Sequence, residues 1–166
     1  MSTVRLEQED ALLAEFDATV VEHSRHGERS SLVLDRSAFY PESGGQMADR
    51  GLLAGARVLD VQIDDHGRVH HVVEGPLPAI GASVHGAIDV ARRRVHMALH
   101  TAQHLLSRAL VEVSGAETVS SRLGESVCTI DVDRDGIAEA RIAEAESFVH
   151  RVIDEDRVVR AWFPTS

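Results

Sequence analysis

Three histidines recur at four-residue intervals in the middle of the chain, at His96, His100 and His104. If this stretch is helical, side chains four residues apart lie on one face, so the three imidazoles form a stripe. Two such histidines can each direct a ring nitrogen at one metal ion without bending the backbone. They supply only half of a four-coordinate site, and the alternative interpretation is a solvated polar face.

A metalloprotease site is disfavoured at this stretch. The helical zinc-protease motif has Glu directly after its first histidine as general base, and Thr101 occupies that place here. Three successive positions four apart drift around a helix and rarely converge on one ion. Two neighbouring histidines of the stripe could therefore bind one ion, whereas a site formed by all three, with His96 as a third ligand, is disfavoured.

A second motif lies upstream, where residues 39–51 read Phe-Tyr-Pro-Glu-Ser-Gly-Gly-Gln-Met-Ala-Asp-Arg-Gly. Pro41 restricts the residue before it to an extended or turn conformation, and Gly44 and Gly45 allow positive φ or a close approach of another backbone. Gln46 then follows a sharp turn, where its amide can donate and accept at once. The alternative is a hairpin turn whose glycines serve only the backbone.

Short alternating segments separated by turn residues surround this motif, which indicates a small barrel or sandwich. His23 and His26 are predicted to lie in a surface loop over residues 23–29, and His70, His71 and His85 on the surface or lining the barrel. The predicted strands are 16–21, 31–35, 52–59, 61–63, 69–73 and 83–88.

The second half of the chain predicts helix, two strands, helix and strand, which indicates an α+β sandwich. Asp89 is the expected N-cap of the first helix, and Ser114-Gly115 its end. Cys128 shares a strand face with apolar residues, so we expect a packed thiol. Residues expected to pack the first helix on a core are Val95, Leu99, Ala102, Leu106, Ala109, Leu110 and Val113. The predicted elements are 90–113, 118–123, 126–132, 137–154 and 158–163.

The charge balance is unusual for a protein that grips a phosphate backbone, because the formal net charge is −10. An enzyme that handles only the end of an RNA needs just a local positive patch, which Arg92, Arg93 and Arg94 could supply. The alternative is a solvated first helical turn, since cations there gain nothing from the helix dipole.

No apolar run approaches the length needed to span a bilayer, and the N-terminus does not resemble a signal peptide. We therefore expect no membrane association. The single cysteine, Cys128, rules out an internal disulfide framework and suggests a reducing compartment, so a cytoplasmic location is expected.

The glycine-rich motif and the run His100-Thr101-Ala102-Gln103-His104-Leu105 together resemble the alanyl-tRNA editing family. This family comprises the editing domain of alanyl-tRNA synthetase and its free-standing AlaX relatives. The resemblance covers about residues 10–164. It implies a glycine-rich β-barrel domain over residues 1–88, followed over 89–166 by an α+β domain of the two-layer editing type shared with threonyl-tRNA synthetase.

The resemblance also implies an activity, the metal-dependent hydrolysis of mischarged Ser- or Gly-tRNA(Ala). His100 and His104 would bind Zn²⁺, and Gly44, Gly45, Gln46 and Thr101 would contact the substrate, with Gln46 in a catalytic role. The partner would be the aminoacyl end of tRNA.

The sequence departs from the family pattern in one respect. The family completes its metal site with a downstream Cys-x-x-x-His element, which does not follow Phe163 here, and Cys128 cannot replace it because Val132 stands where the histidine would be. Three explanations remain open. The chain is a fragment, a partner chain or second copy supplies the missing ligands, or the chain is a non-catalytic aminoacyl- or tRNA-binding module with a vestigial metal site.

Overall fold

The structure is a computed structural model that describes residues 2–160. The chain forms two compact units. The first contains residues up to Ala98 together with Leu123–Val127, and the second contains Leu99–Arg122 together with the chain from Cys128. The chain contains both β-strands and α-helices, which confirms the predicted α+β class. The domain limits 1–88 and 89–166 stay a prediction.

Ten strands and two α-helices make up the described chain. In chain order they are β1 (Val4–Arg5), β2 (Glu15–His26), β3 (Arg29–Leu34), β4 (Arg36–Ser37), β5 (Gly51–Leu53), β6 (Ala56–Ile63), β7 (Val69–Glu74), β8 (Ser83–Ile88), α1 (Val90–Ser114), β9 (Thr118–Leu123), β10 (Cys128–Val132) and α2 (Glu139–Asp154). Neither α-helix of this described part combines the length and apolar character needed to cross a bilayer.

The first unit is built on a closed antiparallel barrel with the strand order β2-β3-β7-β6-β5-β8. Alternate residues of each strand point inward, as the period of two requires. On β2 the inward residues are Phe16, Ala18 and Val20, all buried. Phe16 contacts Phe39 edge to face at a centroid distance of 5.7 Å. The predicted barrel is therefore confirmed, and its interior is a packed apolar core.

The first hairpin differs from the prediction. His23 and His26 lie on β2, because this strand continues to His26 and the turn is only Gly27-Glu28. Gly27 has φ 61°, which lets so short a turn reverse the chain without a longer loop. The expected surface loop over 23–29 was thus wrong.

The histidines of the later strands divide between the two predicted possibilities. His71 lines the barrel and is fully buried, with hydrogen bonds to Ser37 Oγ at 2.8 Å and Leu32 O at 3.0 Å. His85 is exposed beside Asp17 on the outer surface.

In the second unit, α2 packs on the C-terminal half of α1 and on β10. The residues in contact are all apolar: Leu106, Ala109, Leu110, Val113, Val132, Ala145, Phe148 and Val149. Cys128 is half-buried on the same face of β10 as Ile130. This small apolar cluster agrees with the predicted helical periodicity.

Helix α1 begins where the sequence predicts. Asp89 Oδ1 accepts the backbone N–H of Arg92 at 3.0 Å, which confirms the N-cap. The helix ends before Gly115, whose φ is 65°. The predicted apolar face was wrong at Val95, which is 46% exposed, because Arg93 and His96 occupy the buried side of the first turns.

Other element limits shift by small amounts. Strand β10 begins at Cys128 and α2 at Glu139, each two residues later than predicted. The final predicted strand, 158–163, is not formed over its described part, 158–160. Its remainder, residues 161–163, lies outside the described residues.

Candidate functional site

The glycine-rich motif forms a tight turn in the first unit. Ser43 and Gln46 exchange backbone hydrogen bonds of 3.2 and 2.9 Å, and the two residues between them, Gly44 and Gly45, have φ of 58° and 81°. Positive φ at both central positions is the signature of a type I′ turn, which strongly favours glycine. Both glycines are therefore required by the backbone itself.

Two backbone hydrogen bonds fix this turn in place. Glu42 donates to Val61 O on β6 at 2.9 Å, and Leu123 donates to Gly45 O at 3.2 Å. Gln46, directly after the glycines, is buried. The turn is thus a rigid part of the first unit.

A buried ion pair connects the motif to the first turn of α1. Arg93 donates through Nε to Asp49 Oδ2 at 3.0 Å and through Nη2 to the same carboxylate. Asp49 also accepts the backbone N–H of Tyr40 at 2.6 Å, and Arg93 donates to Ala38 O at 2.5 Å. The side chains of Asp49 and Arg93 are 4% and 7% exposed. Breaking such a pair leaves an uncompensated buried charge. The pair therefore holds the motif and the first turn of α1 in contact once it has formed.

The arginine triplet therefore does not form one patch. Arg93 is buried and neutralised by Asp49, so for this residue both sequence interpretations, positive patch and solvated turn, were wrong. Arg92 donates to Ala48 O at 3.1 Å, while Arg94 is exposed. Reasoning from the sequence missed the pair because its two members are far apart in the chain and each alone resembles a surface residue.

The last glycine of the motif has a separate role. A Cβ on Gly51 would overlap the carbonyl oxygen of Ala87, which belongs to the neighbouring strand β8. Gly51 pairs with Ile88 in the register of β5 and β8. The glycine is thus needed for the barrel to close at this point.

In the second unit, His100 and His104 lie one turn apart on α1 with their rings stacked. The ring centroids are 4.9 Å apart and the planes differ by 28°. Burial lowers the pKa of His100, and the neighbouring His104 lowers it further. A lowered pKa keeps the His100 ring neutral at pH 7, the state in which an imidazole can offer a lone pair to a metal.

A family model described as tRNA synthetases class II (A) matches residues 4–92, more than half of the chain. The chain belongs to this family, in its alanyl-tRNA editing branch. It is 39% identical over 170 residues to the alanine–tRNA ligase of Pyrococcus furiosus, a match covering 98% of this chain and 18% of that protein.

Shorter relatives of this editing branch match as well. The chain is 34% identical over 164 residues to the alanyl-tRNA editing protein AlaX-M of Methanosarcina mazei, covering 92% of this chain and 64% of that protein. It is 31% identical over 157 residues to AlaX-L of Pyrococcus horikoshii, covering 92% of this chain and 39% of that protein. The chain thus spans less than two thirds of each of these relatives.

The donor set on α1 of this editing-family chain fits half of a zinc site. Zinc in proteins takes four ligands in a tetrahedron, and His100 and His104 are two nitrogen donors correctly spaced on one helix. Within residues 2–160 there is no group of three His, Cys, Asp or Glu side chains that could hold a metal ion. His96 therefore does not complete such a group.

The predicted site residues fall in both units of the editing-family chain. Gly44, Gly45 and Gln46 belong to the first, while His100, Thr101 and His104 belong to the second. Thr101 is exposed on α1. Their assigned roles in substrate and metal binding stay predictions.

Proposed function

We propose that this chain acts in the editing of alanyl-tRNA by hydrolysing the ester that joins serine or glycine to tRNA(Ala). The observation that carries the proposal is the stacked pair of His100 and His104, with a neutral His100 ring, in a chain similar to proteins named for alanyl-tRNA editing. A charging site cannot strongly reject a near-isosteric or smaller amino acid, so a separate hydrolytic step is needed.

Each predicted residue would have a separate role. His100 and His104 would hold Zn²⁺, which when bound polarises an ester carbonyl or a water. Gly44 and Gly45 present a backbone without side chains, which lets a substrate approach closely. Gln46 would orient the reacting ester through its amide, and Thr101 would contact the aminoacyl group from α1.

The test is the hydrolysis of Ser-tRNA(Ala) by the 166-residue chain and by the double variant His100→Ala/His104→Ala, with zinc content measured on the same samples. We expect the double variant to bind less zinc and to hydrolyse Ser-tRNA(Ala) at least about 100-fold more slowly. Both metal binding and the activation of the nucleophile depend on these rings. His150→Ala is the matched control, because it removes an exposed histidine from helix α2. Unchanged zinc content and rate in the double variant would reject the ligand assignment.

A second candidate function is an aminoacyl- or tRNA-binding module without hydrolysis. It is favoured by the finding that the described residues supply only two metal ligands. Binding of Ser-tRNA(Ala) without turnover in excess zinc would support the module. Turnover that a chelator removes would support the hydrolase.

We further propose that the chain assembles with a second copy or with a partner chain, which supplies the missing metal ligands. Val158 and Val159 are 77% and 71% exposed, an apolar surface that favours association. Sedimentation velocity is expected to show a dimer or larger species. A stable monomer whose melting does not respond to zinc would contradict this proposal.

A further inference from the structure

A pocket of about 340 Å³ lies at the start of α1, apart from the candidate metal ligands and wholly within the first unit. The residues that line it are Arg50, Asp89, Ala91, Arg92, Val95, His96 and Glu125. Two guanidinium groups, two carboxylates and one buried imidazole thus border one small volume.

Both guanidinium groups of this pocket are held by a single carboxylate. Arg50 Nη2 lies 3.1 Å from one oxygen of Glu125, and Arg92 Nη1 lies 3.0 Å from the other. The hydrogen bond from Arg92 and its charge lower the pKa of Glu125, so this carboxylate is ionised. Arg92 is also anchored through Nε to Ala48 O at 3.1 Å, which fixes the direction of its remaining donors. Glu125 occupies the place that a bound anion would take.

His96 supplies a second and independent indication of a ligand. It is 3% exposed, and its Nε2 atom is buried without a hydrogen-bond partner among the described residues. The other ring nitrogen donates to the backbone of Met47, so Nε2 of the neutral ring is an acceptor with a free lone pair. Native proteins rarely leave such an atom unsatisfied, so a donor from outside the described residues, a water or a ligand, is expected at Nε2.

We propose that this pocket binds one ribonucleotide of an RNA strand. Its phosphate replaces the Glu125 carboxylate on Arg50 and Arg92, and its ribose 2′-hydroxyl donates a hydrogen bond to His96 Nε2. Guanidinium groups bind phosphate and carboxylate with the same planar donor geometry, so the exchange needs no rearrangement of the arginines. A 2′-hydroxyl contact distinguishes RNA from DNA. The inference rests on the proposed function in that the RNA is the tRNA substrate.

The first test uses fluorescence anisotropy of an RNA hairpin with the tRNA(Ala) acceptor-stem sequence, ending in CCA. Glu125→Gln removes the competing carboxylate and is expected to tighten binding by about 3- to 10-fold, a gain that misfolding cannot produce. Arg50→Gln is expected to weaken binding by about 5- to 20-fold and to reduce the salt dependence by about one phosphate contact.

The matched controls come from an exposed pair on α2. Arg141 and Glu144 lie 2.6 Å apart and are 55% and 54% exposed, close to the exposure of Arg50 and Glu125. Glu144→Gln and Arg141→Gln change the net charge by the same amounts and are expected to alter affinity less than twofold. Equal effects of Glu125→Gln and Glu144→Gln would overturn the proposal, because they would reflect net charge alone.

The second test compares the RNA hairpin with a DNA hairpin of the same sequence. The unmodified chain is expected to prefer RNA, and His96→Phe, which keeps a ring but no acceptor, is expected to bring the affinity ratio near one. Equal affinity of the unmodified chain for both hairpins would overturn the 2′-hydroxyl contact.

A separate deacylation assay distinguishes this proposal from the proposed function. If the variants change RNA binding as expected but the chain does not deacylate Ser-tRNA(Ala), the nucleotide site is supported and the proposed hydrolysis is rejected. If the chain deacylates Ser-tRNA(Ala) but the variants do not change RNA binding as expected, only the nucleotide site is rejected.

Discussion

The buried pair of Asp49 and Arg93 offers the most direct test of how the glycine-rich motif is held. Asp49→Ala would leave the Arg93 guanidinium buried with no carboxylate and would remove the acceptor of the Tyr40 backbone N–H. Removing one member of a buried pair costs about 3–5 kcal/mol in the free energy of unfolding. For a chain of this length that corresponds to a fall in melting temperature of about 6–20 °C.

The assay is urea unfolding of four proteins, the unmodified chain, Asp49→Ala, Arg93→Met and the double variant. The double variant removes the charge that each single change leaves unpaired, so its destabilisation is expected to be smaller than the sum of the two single effects. A loss below about 1 kcal/mol for Asp49→Ala, the range of an exposed ion pair, would show that the pair does not behave as a buried one. Additive single effects would refute the direct pairing of the two side chains.

Two further predictions concern the barrel. Gly51→Ala is expected to destabilise the chain more than Gly44→Ala. The new Cβ would overlap the Ala87 carbonyl at position 51, whereas at position 44 it has open space and only the positive φ is unfavourable. Urea unfolding midpoints check this order, and equal losses of stability would contradict it. Burial lowers the pKa of His71 to about 4, so its contribution to stability is complete above about pH 6.5 and is lost toward pH 4, at up to about 1.4 kcal/mol per pH unit. Unfolding free energies measured from pH 7 to 4 should show this slope in the unmodified chain and a smaller one in His71→Gln, and identical slopes would contradict the prediction.

Local patterns were enough to predict most of the elements. Strand β8 follows the alternation of Ser83–Ile88, and α1 begins at the N-cap Asp89 and ends before Gly115. In each case the signal lies within a few neighbouring residues, where turn and capping chemistry act. The sharp turn after Ser43 was likewise visible in its two adjacent glycines.

Contacts between distant parts of the chain were not predictable in the same way. The burial of Arg93 depends on Asp49 and on the carbonyl of Ala38, none of which is near it in sequence. Helical periodicity placed Val95 toward the core because it counts apolar residues, whereas the first turns of α1 bury a cation and an imidazole instead. The position of His96, with one ring nitrogen on the Met47 backbone and the other buried without a partner among the described residues, has the same origin.

The proposed hydrolysis of wrongly charged tRNA(Ala) is measured most simply as the deacylation rate of this chain on Ser-tRNA(Ala) beside Ala-tRNA(Ala) in the presence of zinc. We expect Ser-tRNA(Ala) to be hydrolysed well above the buffer rate, Ala-tRNA(Ala) to be spared, and a chelator to abolish the difference. Equal hydrolysis of the two substrates, or a rate on Ser-tRNA(Ala) no higher than buffer, would contradict the proposed editing activity.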